Sequence, residues 1–126
     1  MSEISNNYLQ SLNKFQREAV ENNSGATLVL AGAGSGKTRV LTYKLLYLLA
    51  KKILKPNQIL AVTFTNKAAS EMKSRVSKML NFPIDKMWLG TFHSLSLKIL
   101  RKHCEKVSLK KNFVIIDTDD QLKLIK

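Results

Sequence analysis

Between residues 31 and 38 the chain reads Ala31-Gly32-Ala33-Gly34-Ser35-Gly36-Lys37-Thr38, and no other stretch restricts its fold as tightly. Three glycines let the backbone curl and turn its N–H groups toward one anion. The preceding run, Thr27-Leu28-Val29-Leu30-Ala31, is apolar and β-branched enough to read as a short buried strand. The following run, Thr38 to Ala50, has no Gly or Pro and is rich in Leu, so it reads as a helix. Strand, glycine loop and helix in that order make a phosphate cradle. The helix start adds unpaired N–H groups and a partial positive charge. Lys37 is then placed to reach β/γ-phosphates, and the Thr38 hydroxyl to ligate Mg²⁺. The usual pattern is G-x-x-x-x-G-K-[ST]; here its first position is Ala31, which still permits a tight turn. The plainer alternative, a Gly-rich turn before a surface lysine, leaves the ordered context unexplained. The loop alone does not separate kinases, GTPases, transporters and motors.

The chain has 126 residues, enough for one domain with a core. It carries 21 Lys+Arg against 9 Asp+Glu, a formal net charge of +12, and such an excess points to a polyanion such as nucleic acid. A basic proteome or a missing acidic segment would give the same balance. No apolar run approaches a membrane span, so no membrane partner is expected. The N-terminus lacks the basic-then-apolar order of a signal peptide. The single cysteine, Cys104, excludes an internal disulfide and fits a reducing, cytoplasmic setting. It sits on an apolar helical face and reads as a buried structural thiol.

Periodicity predicts a helix over about Lys14 to Glu21 capped by Asn13, the phosphate loop between strand and helix, and that helix ending near Lys52. Pro56-Asn57 makes a turn, and Ile59 to Phe64 is a second apolar strand. Asn66 to Leu80 is a helix with an apolar stripe of Ala69, Met72, Val76 and Met79. Lys67, Glu71, Ser74, Arg75 and Lys78 fall on its opposite face. Pro83 breaks the chain, Met87-Trp88-Leu89 is a third strand, and Phe92 to Cys104 a fourth helix. Phe113-Val114-Ile115-Ile116 is a fourth strand, and Thr118 with Gln121 is a capping-box signal for a last helix. Apolar strands alternating with helices indicate an α/β fold whose parallel sheet is covered on both faces. The loops after the strands should carry the chemistry.

Four segments, in order and at family-like spacing, resemble the UvrD/Rep/PcrA-like superfamily 1 DNA helicases. They are Leu12-Asn13-Lys14-Phe15-Gln16-Arg17-Glu18-Ala19-Val20, then Leu30 through Leu41, then Ala61-Val62-Thr63-Phe64-Thr65-Asn66-Lys67-Ala68-Ala69 with Glu71-Met72, and Gly90-Thr91-Phe92-His93-Ser94. The likeness covers nearly the whole chain. It implies a P-loop NTPase with an incomplete RecA-like parallel sheet, residues 1–126 being the N-terminal part of the first such domain. Ala31, Gly32, Ala33, Gly34, Ser35 and Gly36 would shape the ATP loop, Lys37 bind phosphate and Thr38 bind Mg²⁺. Gln16 would hydrogen-bond the adenine edge, although Asn13-x-x-Gln16 is equally a capping box. Arg39 would lie against the adenine face; alone it is an ordinary solvated arginine.

The resemblance makes Thr63, Phe64, Thr65, Asn66 and Lys67 the first contact with single-stranded DNA. Phe64 would stack on a base, worth about 1–3 kcal/mol; otherwise it is a core aromatic closing the sheet. Thr91, Phe92, His93 and Ser94 resemble the next DNA-contact motif, at a helix start that favours phosphate. His93 lacks the Cys/His/Asp neighbours of a metal site. The basic run Lys98, Arg101, Lys102, Lys106, Lys110 and Lys111 extends a DNA-facing surface or is a solvated face. Asp117 closes four apolar residues, the general shape of a Walker-B strand, but Thr118 follows it where a water-activating acid would stand. It reads mainly as a strand-end and capping residue. The chain ends at Lys126 in a helix-like stretch without the family's later acidic motif, arginines or second RecA-like domain. The expectation is a truncated or split helicase, inactive as a motor alone, with a second polypeptide as a possible source of the remainder. The competing readings are a small P-loop enzyme using Asp117 for Mg²⁺ and a non-enzymatic DNA-binding remnant.

Overall fold

A computed structural model describes residues 7–32, 34, 36–80, 84–116 and 118–125. Two compact units divide the chain, Met1–Phe92 and His93–Lys126.

The first unit opens with a short helix, α1 (Asn7–Gln10), and α2 (Lys14–Glu21). The start of α2 follows from its capping box. Asn13 Oδ1 accepts the Gln16 N–H at 2.8 Å, and Gln16 Oε1 accepts the Asn13 N–H at 3.0 Å. Two otherwise orphaned donors are thereby satisfied. The long helix α3 (Lys37–Ala50) begins directly after the glycine loop. Its Val40, Leu45, Leu46 and Leu49 are buried, and buried Thr42 donates its hydroxyl to the Thr38 carbonyl at 2.8 Å. A single 3₁₀ turn at Pro56–Gln58 leads into β1 (Leu60–Thr63). Helix α4 (Asn66–Leu80) then crosses to β2 (Trp88–Thr91), which pairs parallel with β1, Leu60 opposite Trp88 through Thr63 opposite Thr91. This is a βαβ unit, the connection that parallel pairing requires. Helix α2 packs on α3, α3 on α4, and α4 on both strands. Val20, Leu46, Met72, Val76 and Ile84 lie at the centre of the core.

The expected stripe on α4 is correct at Ala69, Met72 and Val76, but Leu80 takes the buried place assigned to Met79. All five residues assigned to the opposite face are exposed. Two expected strands are absent. Thr27–Ala31 adopts no regular structure, and Leu28 and Leu30 are more than four-fifths exposed. The described sheet contains only β1 and β2, hydrogen-bonded to each other. Strand bonds are lateral, so apolar β-branched composition makes a strand only where a neighbouring strand is present.

The second unit contains the remainder of α5 (Phe92–His103), a 3₁₀ turn at Cys104–Val107 and α6 (Thr118–Ile125). Cys104 is buried with a free thiol, as expected. Ser108 ends the 3₁₀ turn at φ +60, its N–H directed to the Cys104 and Glu105 carbonyls. The other absent strand is Phe113–Ile116, which is irregular with Val114, Ile115 and Ile116 exposed. Arg101 holds this segment instead. Its guanidinium lies 4.6 Å from the centre of the Phe113 ring and donates to the Lys111 carbonyl at 3.4 Å. Asp117 and the side chain of Thr118 lie outside the described residues.

Candidate functional site

The glycine loop reaches α3 through left-handed backbone. Gly34 has φ +76 and Gly36 φ +88, a region that side chains disfavour. Gly36 is also crowded: a Cβ there would stand 3.1 Å from Gln16 Nε2 and 3.9 Å from Arg39 Cβ. The loop therefore touches both residues that the resemblance assigns to adenine. Gln16 serves its cap through Oε1 while its Nε2 faces Gly36. Gly32 and Gly34 are exposed and Ala31 is half-buried; Ala33 and Ser35 lie outside the described residues. Lys37 and Thr38 are exposed in the first turn of α3, where free N–H groups and the helix dipole favour an anion.

Lys37 and Thr38 open onto a cleft of about 500 Å³. Its far wall is the end of β1 and the following turn, Thr63, Phe64 and Thr65, with Met72 also lining it. Thr63 donates its hydroxyl to the Thr65 carbonyl at 3.1 Å, which tightens that turn. Thr65 accepts the Ala68 N–H on its hydroxyl at 3.1 Å and so caps α4. The sequence signal for this cap was present, a threonine three residues before the helix's third N–H, but the DNA-contact reading passed over it. Asn66 and Lys67 are exposed in the first turn of α4.

Phe64 is 89% exposed and lies outside the described core. Its ring lies 5.5 Å from that of Phe92, tilted by 50°, because the two follow paired strands at matching register. Phe92 is likewise exposed, whereas Thr91 is buried at the end of β2. His93 and Ser94, exposed in the first turn of α5, belong to the second unit. Sequence reasoning missed two supporting residues on α3. Tyr43 lies under the Arg39 guanidinium, 5.3 Å from ring centre to Cζ, a pairing foreshadowed by their four-residue spacing. Lys44 donates to the carbonyls of Val20, at 2.8 Å, and Asn22, and so ties the end of α2 to α3. Burial holds the Lys44 ammonium below its ordinary pKa. Among the described residues, no group of three or more His, Cys, Asp or Glu could hold a metal ion. No described helix is long and apolar enough to cross a membrane.

This geometry joins the exposed start of α3 to a strand end that displays an exposed aromatic pair. The family model of the UvrD/REP helicase N-terminal domain matches residues 12–126, and the chain belongs to that family. It is 52% identical over its whole length to the ATP-dependent DNA helicase PcrA of Bacillus subtilis (strain 168). It is 48% identical over 121 residues, 96% of the chain, to PcrA of Staphylococcus aureus (strain Mu50), and 47% over the same span to PcrA of Staphylococcus epidermidis. In each case the chain spans only 17% of the relative's length and corresponds to an N-terminal fragment.

Proposed function

We propose that this chain is the N-terminal ATP- and single-stranded-DNA-binding part of a UvrD-like ATP-dependent DNA helicase, the beginning of a RecA-like P-loop domain. The observation that carries this reading is the shared cleft: Lys37 and Thr38 on one side, Thr63, Phe64 and Thr65 on the other. Loop N–H groups and Lys37 hold the β- and γ-phosphates. Gln16 reads the adenine edge and Arg39 lies against its face. Thr38 offers one hydroxyl to Mg²⁺, and with no described acidic cluster the ion fits best as one that arrives with phosphate oxygens. When bound, Mg²⁺ neutralises phosphate charge.

Phe64 stacks on a base with Phe92 beside it, an arrangement tolerant of sequence because every base has a π-face. Thr63, Thr65, Asn66 and Lys67, with Phe92, supply hydroxyl, amide, ammonium and aromatic groups to the DNA strand; His93 and Ser94, at the start of the second unit, are read separately as DNA-contact residues. Thr91, being buried, supports the strand end. Work on DNA fits a cytoplasmic setting. Hydrolysis needs an acid on Mg²⁺ and a group that orients water, and motor action needs a second domain. Residues 1–126 taken by themselves therefore bind ATP with little turnover and do not unwind DNA.

The test is Mg-ATP binding and ATPase activity of the purified chain, with and without single-stranded DNA. We expect binding that Lys37→Ala abolishes and little turnover in either condition. DNA-stimulated turnover lost in Lys37→Ala would overturn the inactivity. DNA binding without any ATP binding would leave the remnant reading in its place.

A further inference from the structure

Behind the glycine loop lies an aromatic stack that the roles above do not use. Tyr43 is one turn after Arg39 on α3, and the Arg39 Cζ stands over its ring at 5.3 Å. Tyr8 of α1 meets Tyr43 edge-on, ring centres 5.6 Å apart and planes at 73°. Tyr8 is only 5% exposed, so it backs Tyr43 with a fixed core surface. Ser11, in the turn after α1, donates its hydroxyl to the Tyr8 carbonyl at 2.7 Å and so fixes that turn. Tyr43 is thus packed between Tyr8 of α1 and Arg39 of its own helix.

Arg39 is the group this stack holds. Its Cβ and the Gln16 amide both lie against Gly36, so base-reading groups and phosphate loop converge on one residue. An arginine side chain is long and flexible, and in solvent its guanidinium plane has no fixed direction. Resting on an aromatic ring by cation–π attraction, it keeps one orientation. A plane supported on one face can receive a second flat π-system on the other.

We propose that Tyr43 is a positioning residue that holds the Arg39 guanidinium over its ring, so that the guanidinium's outer face receives a purine base. Part of the site's preference for a base then resides in a side chain that never touches the nucleotide. The inference rests on the nucleotide-binding reading above. It differs from a plain packing role, in which loss of Tyr43 would weaken phosphate and base binding alike.

The experiment titrates the purified chain with ATP and with inorganic tripolyphosphate, both in Mg²⁺ buffer, and takes the ratio of affinities. The wild-type chain should prefer ATP. Tyr43→Leu should reduce that preference about 3- to 10-fold while tripolyphosphate affinity is kept. Tyr43→Phe should rescue the preference, since the ring remains. Tyr43→Leu added to Arg39→Ala should change the ratio no further. An unchanged ratio in Tyr43→Leu, or a proportional loss of both ligands, would overturn the proposal. If Tyr43→Leu does not fold, Arg39→Lys decides: an ammonium lacks the flat face, so an undiminished ratio there overturns it. Failure of the wild-type chain to bind tripolyphosphate is a different result, which overturns the nucleotide reading itself.

Discussion

Gln16 admits two readings from sequence, helix cap and adenine contact, and the structure shows the first. Its Oε1 accepts the Asn13 N–H, while Nε2 lies on the side of Gly36. The two roles separate by substitution. Asn13→Ala should destabilise α2 by about 1 kcal/mol without altering nucleotide preference. Gln16→Ala should cost a similar amount and also abolish discrimination of ATP from GTP; denaturation and competition binding check the pair. Tyr8 presents the opposite case, a buried hydroxyl with no hydrogen-bond partner among the described residues. Burial first, then the neighbouring Tyr47 and Glu21, push its pKa above 10.0. Tyr8→Phe should stabilise the chain by about 1 kcal/mol, since an unsatisfied buried group is removed. The native state holds this proton more tightly than the unfolded chain. Its contribution is therefore complete below pH 10.0 and is lost as pH rises from there through the native value. Alkaline melts should show the wild type losing more stability above that pH than Tyr8→Phe.

Helices were more legible than strands, and the reason is where their hydrogen bonds go. The helices at Lys14–Glu21 and Asn66–Leu80 have the expected bounds because their bonds, caps and amphipathic faces are local. Thr27–Ala31 and Phe113–Ile116 have strand-like composition yet form no strand, because a strand is completed by partners elsewhere. On α4 the stripe was one residue out at its end: Met72 is fully buried and Met79 is partly exposed. Met72→Ala should destabilise the chain by about 2–5 kcal/mol through transfer and cavity terms. Met79→Ala should stay within about 0.5 kcal/mol. Urea melts of the two variants measure the difference.

Over the whole molecule, a net charge of +12 makes salt the natural probe of DNA binding. Affinity for single-stranded DNA should fall as salt rises, through counterion release. Lys67→Ala should flatten that dependence by about 0.7 in the log–log slope, one phosphate contact. Phe64→Ala should leave the slope unchanged and weaken binding by about 1–3 kcal/mol, since stacking is not ionic. Sequence alone determined α2, α4 and the family, because each is written in local spacing and in residue types that neighbours along the chain constrain. Tertiary structure decided three things that spacing could not. It gave Phe64 to solvent and to Phe92, because two strands pair in register. It brought Gln16 against Gly36 and Tyr8 against Tyr43, because α1, α2 and α3 meet across long stretches of chain. It also withheld strand structure from two apolar runs, because lateral hydrogen bonds exist only where another strand lies alongside.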